Sequence, residues 1–389
     1  MSGPLAGFRV IEFAGVGPGP FCAMMLSDLG ADVVRVDRPA APDASDGNGT
    51  EGTGGMASVT DGIMGRGRRS IALDLKRPEG LATALDLVAG ADALIESFRP
   101  GVMERLGLGP EVCLERNPRL VYGRVTGWGQ EGPYARVAGH DLNFLALAGA
   151  LAPLGRRALP PAPPLNIVGD FGGGGMLIMS GLLAGLLETS RSGRGQVVDA
   201  AMIDGVAYQM AMPYELLGRG VWVEERESNV NDGGSHFYDV YETADGEYVA
   251  LAAMEDRFYA DLLERLGLAG RLPAQWDREG WPTATKAIAD VIRTRTRDEW
   301  CEALEGTDAC FSPVLRMSEA PAHPHHVARE AFVEVDGVVQ PAPAPRFSRT
   351  PGAVARPRSR PGEHTAEILG ELGLTDERIA ELGAAGAFG

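Results

Sequence analysis

Phe8-Arg9-Val10-Ile11-Glu12-Phe13 has the β-branched and aromatic content of a strand, and Gly15-Val16-Gly17-Pro18-Gly19-Pro20 then forces a turn. Cys22, Met25, Leu26 and Leu29 follow at helical spacing, with Pro20 suited to a helix start and Gly30 to its end. Val33-Val34-Arg35-Val36 reads as a second strand. A strand, a crossover helix and a strand predict a parallel pair, so the fold class is α/β. The unit recurs: Ile71, Leu73 and Leu75 alternate, Pro78 opens a helix carrying Leu81, Ala84, Leu85 and Val88, and Ala93-Leu94-Ile95 returns as a strand. A chain of 389 residues can build two sizeable cores.

A dinucleotide-binding turn is excluded after the first strand. Gly15 and Gly17 begin the required spacing, but position 20 is Pro, and Asp37 is followed at once by Arg38, which suits a phosphate better than a ribose diol. The formal net charge of −17 argues against a general nucleic-acid binder or a polybasic membrane-surface protein. An anionic ligand would need a local cluster of Arg and Lys. Cys22, Cys113, Cys301 and Cys310 lack paired spacing, which fits reduced thiols in a cytoplasm better than disulfides or zinc. His323, His325 and His326 sit in a Pro-flanked segment read as an exposed turn, so no metal is expected. The N-terminus lacks a signal-peptide pattern, and the apolar run Met176–Leu187 is too short to span a bilayer. A soluble cytoplasmic protein without a membrane partner is the expectation.

Further along, Ala40 to Gly62 reads as a mobile surface loop. A helix is expected from about Gly175 to Glu188, then a strand at Gln196-Val197-Val198-Asp199. Phe237-Tyr238-Asp239-Val240-Tyr241 and Tyr248-Val249-Ala250-Leu251, joined across Asp245-Gly246, signal a hairpin, so this later region is α+β. Helical patterns follow at 258–266 and 284–292, and the tail from Glu363 to Leu382 reads as helical with a break near Gly373.

Two segments carry chemistry: Ala138-Gly139-His140-Asp141 and Val168-Gly169-Asp170-Phe171, the second opening the run Gly172 to Gly175. An imidazole and a carboxylate beside a glycine-rich helix start suit proton exchange at a carbon whose enolate needs N–H donors. Either residue alone has an ordinary role, His140 in structure and Asp170 as a helix cap. The Asp170-Phe171-Gly172 string lacks the other protein-kinase motifs.

These segments resemble the family III CoA transferases, and within them most closely the α-methylacyl-CoA racemases. The resemblance runs through Val10–Phe13, Gly17–Pro20, Asp28–Pro39, Arg99-Pro100-Gly101, Thr126–Gln130, Ala138–Asp141, Pro164–Phe171 and Ala344–Ser348, in family order. It implies a Rossmann-like large domain (1–222, and 333–389 after a return linker), a linker at 223–232 and a smaller α+β domain at 233–332. It also implies an interlocked homodimer acting on an acyl-CoA thioester, with CoA part of the substrate and no further cofactor. His140 and Asp170 would be the opposing acid/base groups, with Glu255 pairing with His140. Substrate and CoA contacts would come from Arg38, Leu73, Leu75, Lys76, Ser97, Phe98, Arg99, Arg105, Gly139, Asp141, Asn166 and Tyr238. Phe144 departs from the Tyr often found in related racemases. The rival within the family is a CoA transferase carrying CoA as an Asp170 thioester, a mechanism with no use for His140 or Glu255. A noncatalytic CoA-binding protein would keep the arginines and lose the proton carriers.

Overall fold

The computed structural model describes residues 3–39, 62–384 and 386–388. Most of the loop expected at 40–62 therefore lies outside the described residues. Six strands, β1 (Arg9–Phe13), β2 (Asp32–Asp37), β3 (Arg69–Ala72), β4 (Ala93–Glu96), β5 (Val121–Thr126) and β6 (Gln196–Ala201), form one sheet in the order β3-β2-β1-β4-β5-β6. Every pairing is parallel. The third strand ends at Ala72, so Leu73 and Leu75 lie beyond it rather than within it. Successive connections leave β1 in one direction and β4 in the other, so the loops after those two strands diverge and open a crevice at the carboxyl edge.

The strands are apolar on both faces, as a covered parallel sheet requires. Ile11, Phe13, Val34, Leu94 and Tyr122 share a core with Leu87 and Val88 of the helix Pro78–Ala89. Val10, Val33, Ile95 and Val121 pack on the other side with Leu26 of the helix Pro18–Asp28 and Leu182 of the helix Leu177–Ser192. Charges that enter these layers do so in pairs. Glu12 and Arg68, each 1% exposed, meet at 3.0 Å, and Arg68 also donates to the carbonyls of Met64 and Pro20. Arg66 donates through Nε and Nη2 to both oxygens of Asp28.

The C-terminal segment returns to this sheet. Arg69 of β3 donates to Asp32, to Glu367 at 2.8 Å and to Glu371 at 2.6 Å, the last two on the helix Thr365–Glu371. Gly373, at φ +85°, separates it from the final helix Asp376–Ala384, where the tail was expected to break.

The helix expected from Gly175 begins earlier. A π-helix over Ile167–Met176 runs directly into the α-helix Leu177–Ser192. The continuous 26 residues, which hold an 18-residue stretch of mean hydropathy 1.5, are long and apolar enough by composition to cross a membrane. In the fold, one face of this helix lies on the sheet, where Cβ atoms at Gly181 and Gly185 would come within 2.5 Å of Val198 and 2.6 Å of Val121.

The chain divides into two compact units: residues 3–148, 165–209 and 328–388 in the large one, 149–164 and 210–327 in the central one. Residues 149–164 and 210–222, which the sequence reading placed in the large domain, thus cluster with the central unit. There β7 (Tyr238–Glu242) and β8 (Tyr248–Ala252) form the expected hairpin, and β9 (Phe311–Pro313) adds antiparallel to β8. Gly246 takes φ +77° at its turn. Phe237, Tyr241, Trp281 and Trp300 fill the core with residues of the helices Asp256–Arg265, Trp281–Ile292 and Arg297–Leu304. The third of these helices was not expected from the sequence. Its signal was there: Thr296 and Glu299 form a capping box.

Candidate functional site

A cleft of about 270 Å³ opens at the carboxyl edge of the sheet, at the point where strand order reverses. Gly17 and Pro18 after β1, Ser97 to Pro100 after β4, and Thr126 to Trp128 at the end of β5 line it, together with His140 and Asp170. A larger hollow of about 400 Å³ in the central unit, around Tyr214, Leu217 and Trp222, holds neither His140 nor Asp170.

His140 is exposed and precedes the helix Asp141–Leu147, where the Asn143 side chain accepts its backbone N–H at 3.0 Å. Gly139 serves geometry here. A Cβ would fall 2.8 Å from Trp128 and 3.0 Å from Phe144, whose rings meet edge to face at 4.8 Å and wall the cleft beside His140. Trp128 was not among the sequence-derived site residues, although its place just after a strand of the ligand-facing edge was a usable signal.

Asp170 lies within the π-helix, a conformation that recurs at functional sites. Its backbone N–H, and that of Gly169, donate to Asp141 Oδ2, each at 2.7 Å. Asp141 is 6% exposed and joins the two segments through these hydrogen bonds. Asn166 donates to Asp170 Oδ2 at 3.4 Å. Burial raises the Asp170 pKa above the ordinary carboxylate range and the Asp141 charge adds to this, while Asn166 and His140 oppose it. Gly17, at φ +76°, lets the loop after β1 pass close by: its Cβ would stand 3.7 Å from Asp170 Oδ2.

The glycines after Asp170 do not form an open helix start. Phe171 N–H already donates to Asn166 C=O, and Cβ atoms at Gly173, Gly174 and Gly175 would strike Met202, Pro18 and Phe21 at 2.9, 2.8 and 2.5 Å. The run exists for close helix packing, and it does not present the enolate donors expected from the sequence.

Four cations stand where the strands end: Arg38 after β2, Lys76 after β3, Arg99 after β4, and Arg105 one turn further on. All four are exposed, and among the described residues no carboxylate pairs with them. In a chain of net charge −17, cations left free along one edge fit the phosphates of an anionic ligand. Leu73 is 1% exposed, and Leu75 is half-buried against the core. Ser97 Oγ is buried in the cleft wall without a hydrogen-bond partner among the described residues, and Phe98 is half-buried beside it. Glu255 and Tyr238 belong to the central unit, Glu255 exposed ahead of the helix Asp256–Arg265 and Tyr238 half-buried in β7. The cleft thus gathers Ser97, Phe98, Arg99, Gly139, His140 and Asp170 of the expected set. Among the described residues no cluster of His, Cys, Asp and Glu is arranged for a metal; His323 instead meets Glu305 at 3.0 Å.

The chain is similar to curated α-methylacyl-CoA racemases from Mus musculus (46% identical) and Homo sapiens (44%), each alignment covering 97% of this chain and 96% of the relative. Among solved structures it is similar to a CaiB/BaiF family protein from Brucella suis, with a TM-score of 0.80 and 26% identity over 96% of this chain and all of that one. The family model for CoA-transferase family III matches residues 5–365. From the cleft at the strand reversal to the returning C-terminal helix, this chain belongs to CoA-transferase family III.

Proposed function

We propose that this protein is an isomerase that interconverts the R and S forms of 2-methylacyl-CoA thioesters. The observation that carries the reading is His140 and Asp170 in one cleft, a pair of proton carriers held by a common support, Asp141. The racemase relatives support the substrate class.

The α-carbon's C–H bond breaks as one of the two groups takes the proton, and the bonding electrons move onto the thioester oxygen. The other group then delivers its own proton to the opposite face, forming the new C–H bond. Atoms and charge balance without a redox partner, and the roles of His140 and Asp170 exchange with the hand of the substrate. The raised Asp170 pKa suits a carboxyl that must hold a proton in one direction and accept it in the other. Arg38, Lys76, Arg99 and Arg105 hold the CoA phosphates, which leaves the thioester to enter the cleft.

The active form is a homodimer in which Glu255 orients His140. Exposed apolar side chains support it: Leu165 and Tyr208 in the large unit are 72% and 80% exposed, and Met212 in the central unit is 53% exposed. The test is incubation with a (2R)-2-methylacyl-CoA in deuterated water without an acceptor acid. α-Deuterium incorporation with epimerisation is expected, falling about 10³-fold in His140→Ala and in Asp170→Ala. If exchange is absent and CoA moves to an added carboxylic acid, Asp170 is a nucleophile and the protein is a CoA transferase.

A further inference from the structure

The loop Ser97–Gly101 forms one wall of the cleft, and a buried charge cluster behind it has no part in the proton transfer. Glu96, the last residue of β4, is fully buried, and its register partner across the sheet is Arg124 of β5. Arg124 Nε donates to Glu96 Oε1 at 2.7 Å, and Phe98 N–H donates to Glu96 Oε2 at 2.7 Å. The rest of the guanidinium reaches past the loop, where Nη1 and Nη2 donate to the two oxygens of Glu104 at 2.8 and 3.3 Å. Glu104 lies on the short helix Val102–Arg105 that follows Gly101. One guanidinium therefore ties the residue entering the loop to the helix leaving it, while the buried carboxylate holds the loop's own backbone.

Such a cluster is a costly way to gain stability. Removing the Glu96 carboxylate and the Arg124 guanidinium from water offsets most of their attraction, and apolar residues of similar volume would fill the layer as well. Its distinctive product is geometry: a planar fork with both carboxylates bidentate or doubly bonded leaves the loop one conformation. That loop carries Arg99, which has no carboxylate partner among the described residues, and leads into the short helix that ends at Arg105.

Resting on the reading of the cleft as a CoA-thioester site, we infer that Glu96 and Arg124 are positioning residues that set the affinity of that site by fixing the loop Ser97–Gly101, without touching substrate themselves. The test uses the full-length protein, calorimetric titration with free CoA, and steady-state epimerisation well below the melting temperature. Glu96→Gln loses one of its two acceptor contacts, and Arg124→Lys loses the fork; each is expected to raise Kd for CoA and KM for the thioester about tenfold while kcat stays within about threefold. Glu104→Gln, at the 45% exposed end of the cluster, is expected to fold normally and to raise both constants about threefold. A lower Tm with Kd and KM unchanged overturns the inference, and so does a fall in kcat alone. Failure of the unmodified protein to bind CoA overturns the reading of the cleft, and the clamp falls with it.

Discussion

The large and central units bury polar groups in opposite ways. In the large unit buried acidic and basic side chains are paired: Glu12 with Arg68, Asp28 with Arg66, Glu96 with Arg124. In the central unit the buried groups are neutral. His236 is fully buried and meets Tyr259 Oη at 2.6 Å, Trp281 donates to the Gln275 carbonyl, and Trp300 donates to that of Ile292. An ion pair fixes direction as well as distance, which matters where loops must present a cleft at a sheet edge. An aromatic core with single hydrogen bonds is enough for a unit whose expected contribution is one exposed carboxylate, Glu255.

The sharpest way to break this contrast is Arg68→Met. It leaves Glu12 buried without its cation, and we expect about 4 kcal/mol of lost stability by urea unfolding, with hydrogen exchange in β7 and β8 unaffected. A loss below about 1 kcal/mol would mean the pair is ornamental. Acid acts on the other unit. Burial pushes the His236 pKa down to about 4, so the unfolded chain takes up a proton near pH 6.5 that the folded chain refuses. Stability from His236 is full above pH 6.5 and drains away as pH falls toward 4, by on the order of 3 kcal/mol. His236→Gln should flatten that acid limb in hydrogen exchange of the central unit; an unchanged limb would assign it to other groups.

Smaller effects sharpen the comparison at the cleft. Arg99→Met should raise KM about tenfold with kcat nearly unchanged, and should reduce the salt dependence of binding. An equal loss in kcat would place Arg99 on the reacting thioester instead. Asp170→Asn should melt slightly higher than the parent at pH 8 and equally at pH 4. The raised Asp170 pKa makes ionisation in the folded state unfavourable, so the stability tied to its proton is present at low pH and lost as pH rises. A lower Tm at pH 8 would show that the ionised carboxylate is well accommodated.

The parallel sheet was legible because two strand-turn-helix-strand patterns follow one another with Gly and Pro at the turns. The hairpin at Gly246 and the tail break at Gly373 were legible for the same reason, since each needs a positive φ. His140 and Asp170 could be found as residue types beside glycines, but what joins them could not. Asp141 binds two N–H groups some 28 residues away, a contact with no periodic signal. The glycine run misled for a physical reason: close helix packing and an exposed anion cradle both require missing side chains, and only the neighbours Phe21, Pro18 and Met202 tell them apart. Leu73 and Leu75 misled similarly, alternating like a strand although the strand ends at Ala72.

The contacts of Arg69 bear on how the protein is made. Its partners Glu367 and Glu371 follow it by 298 and 302 residues, so a ribosome that has just released β3 has hundreds of residues still to synthesise before this edge strand can be covered. The sheet is built from nearby pieces, yet its outer edge stays open until the distant segment that carries Glu367 and Glu371 emerges. Chains truncated before Arg356, which lack the segment that bonds Gly67, Arg68 and Ser70, would therefore expose an unpaired, apolar-faced strand edge, a template for association between nascent chains. Efficient production of this fold depends on sheltering that edge through the interval between the synthesis of β3 and that of its partners.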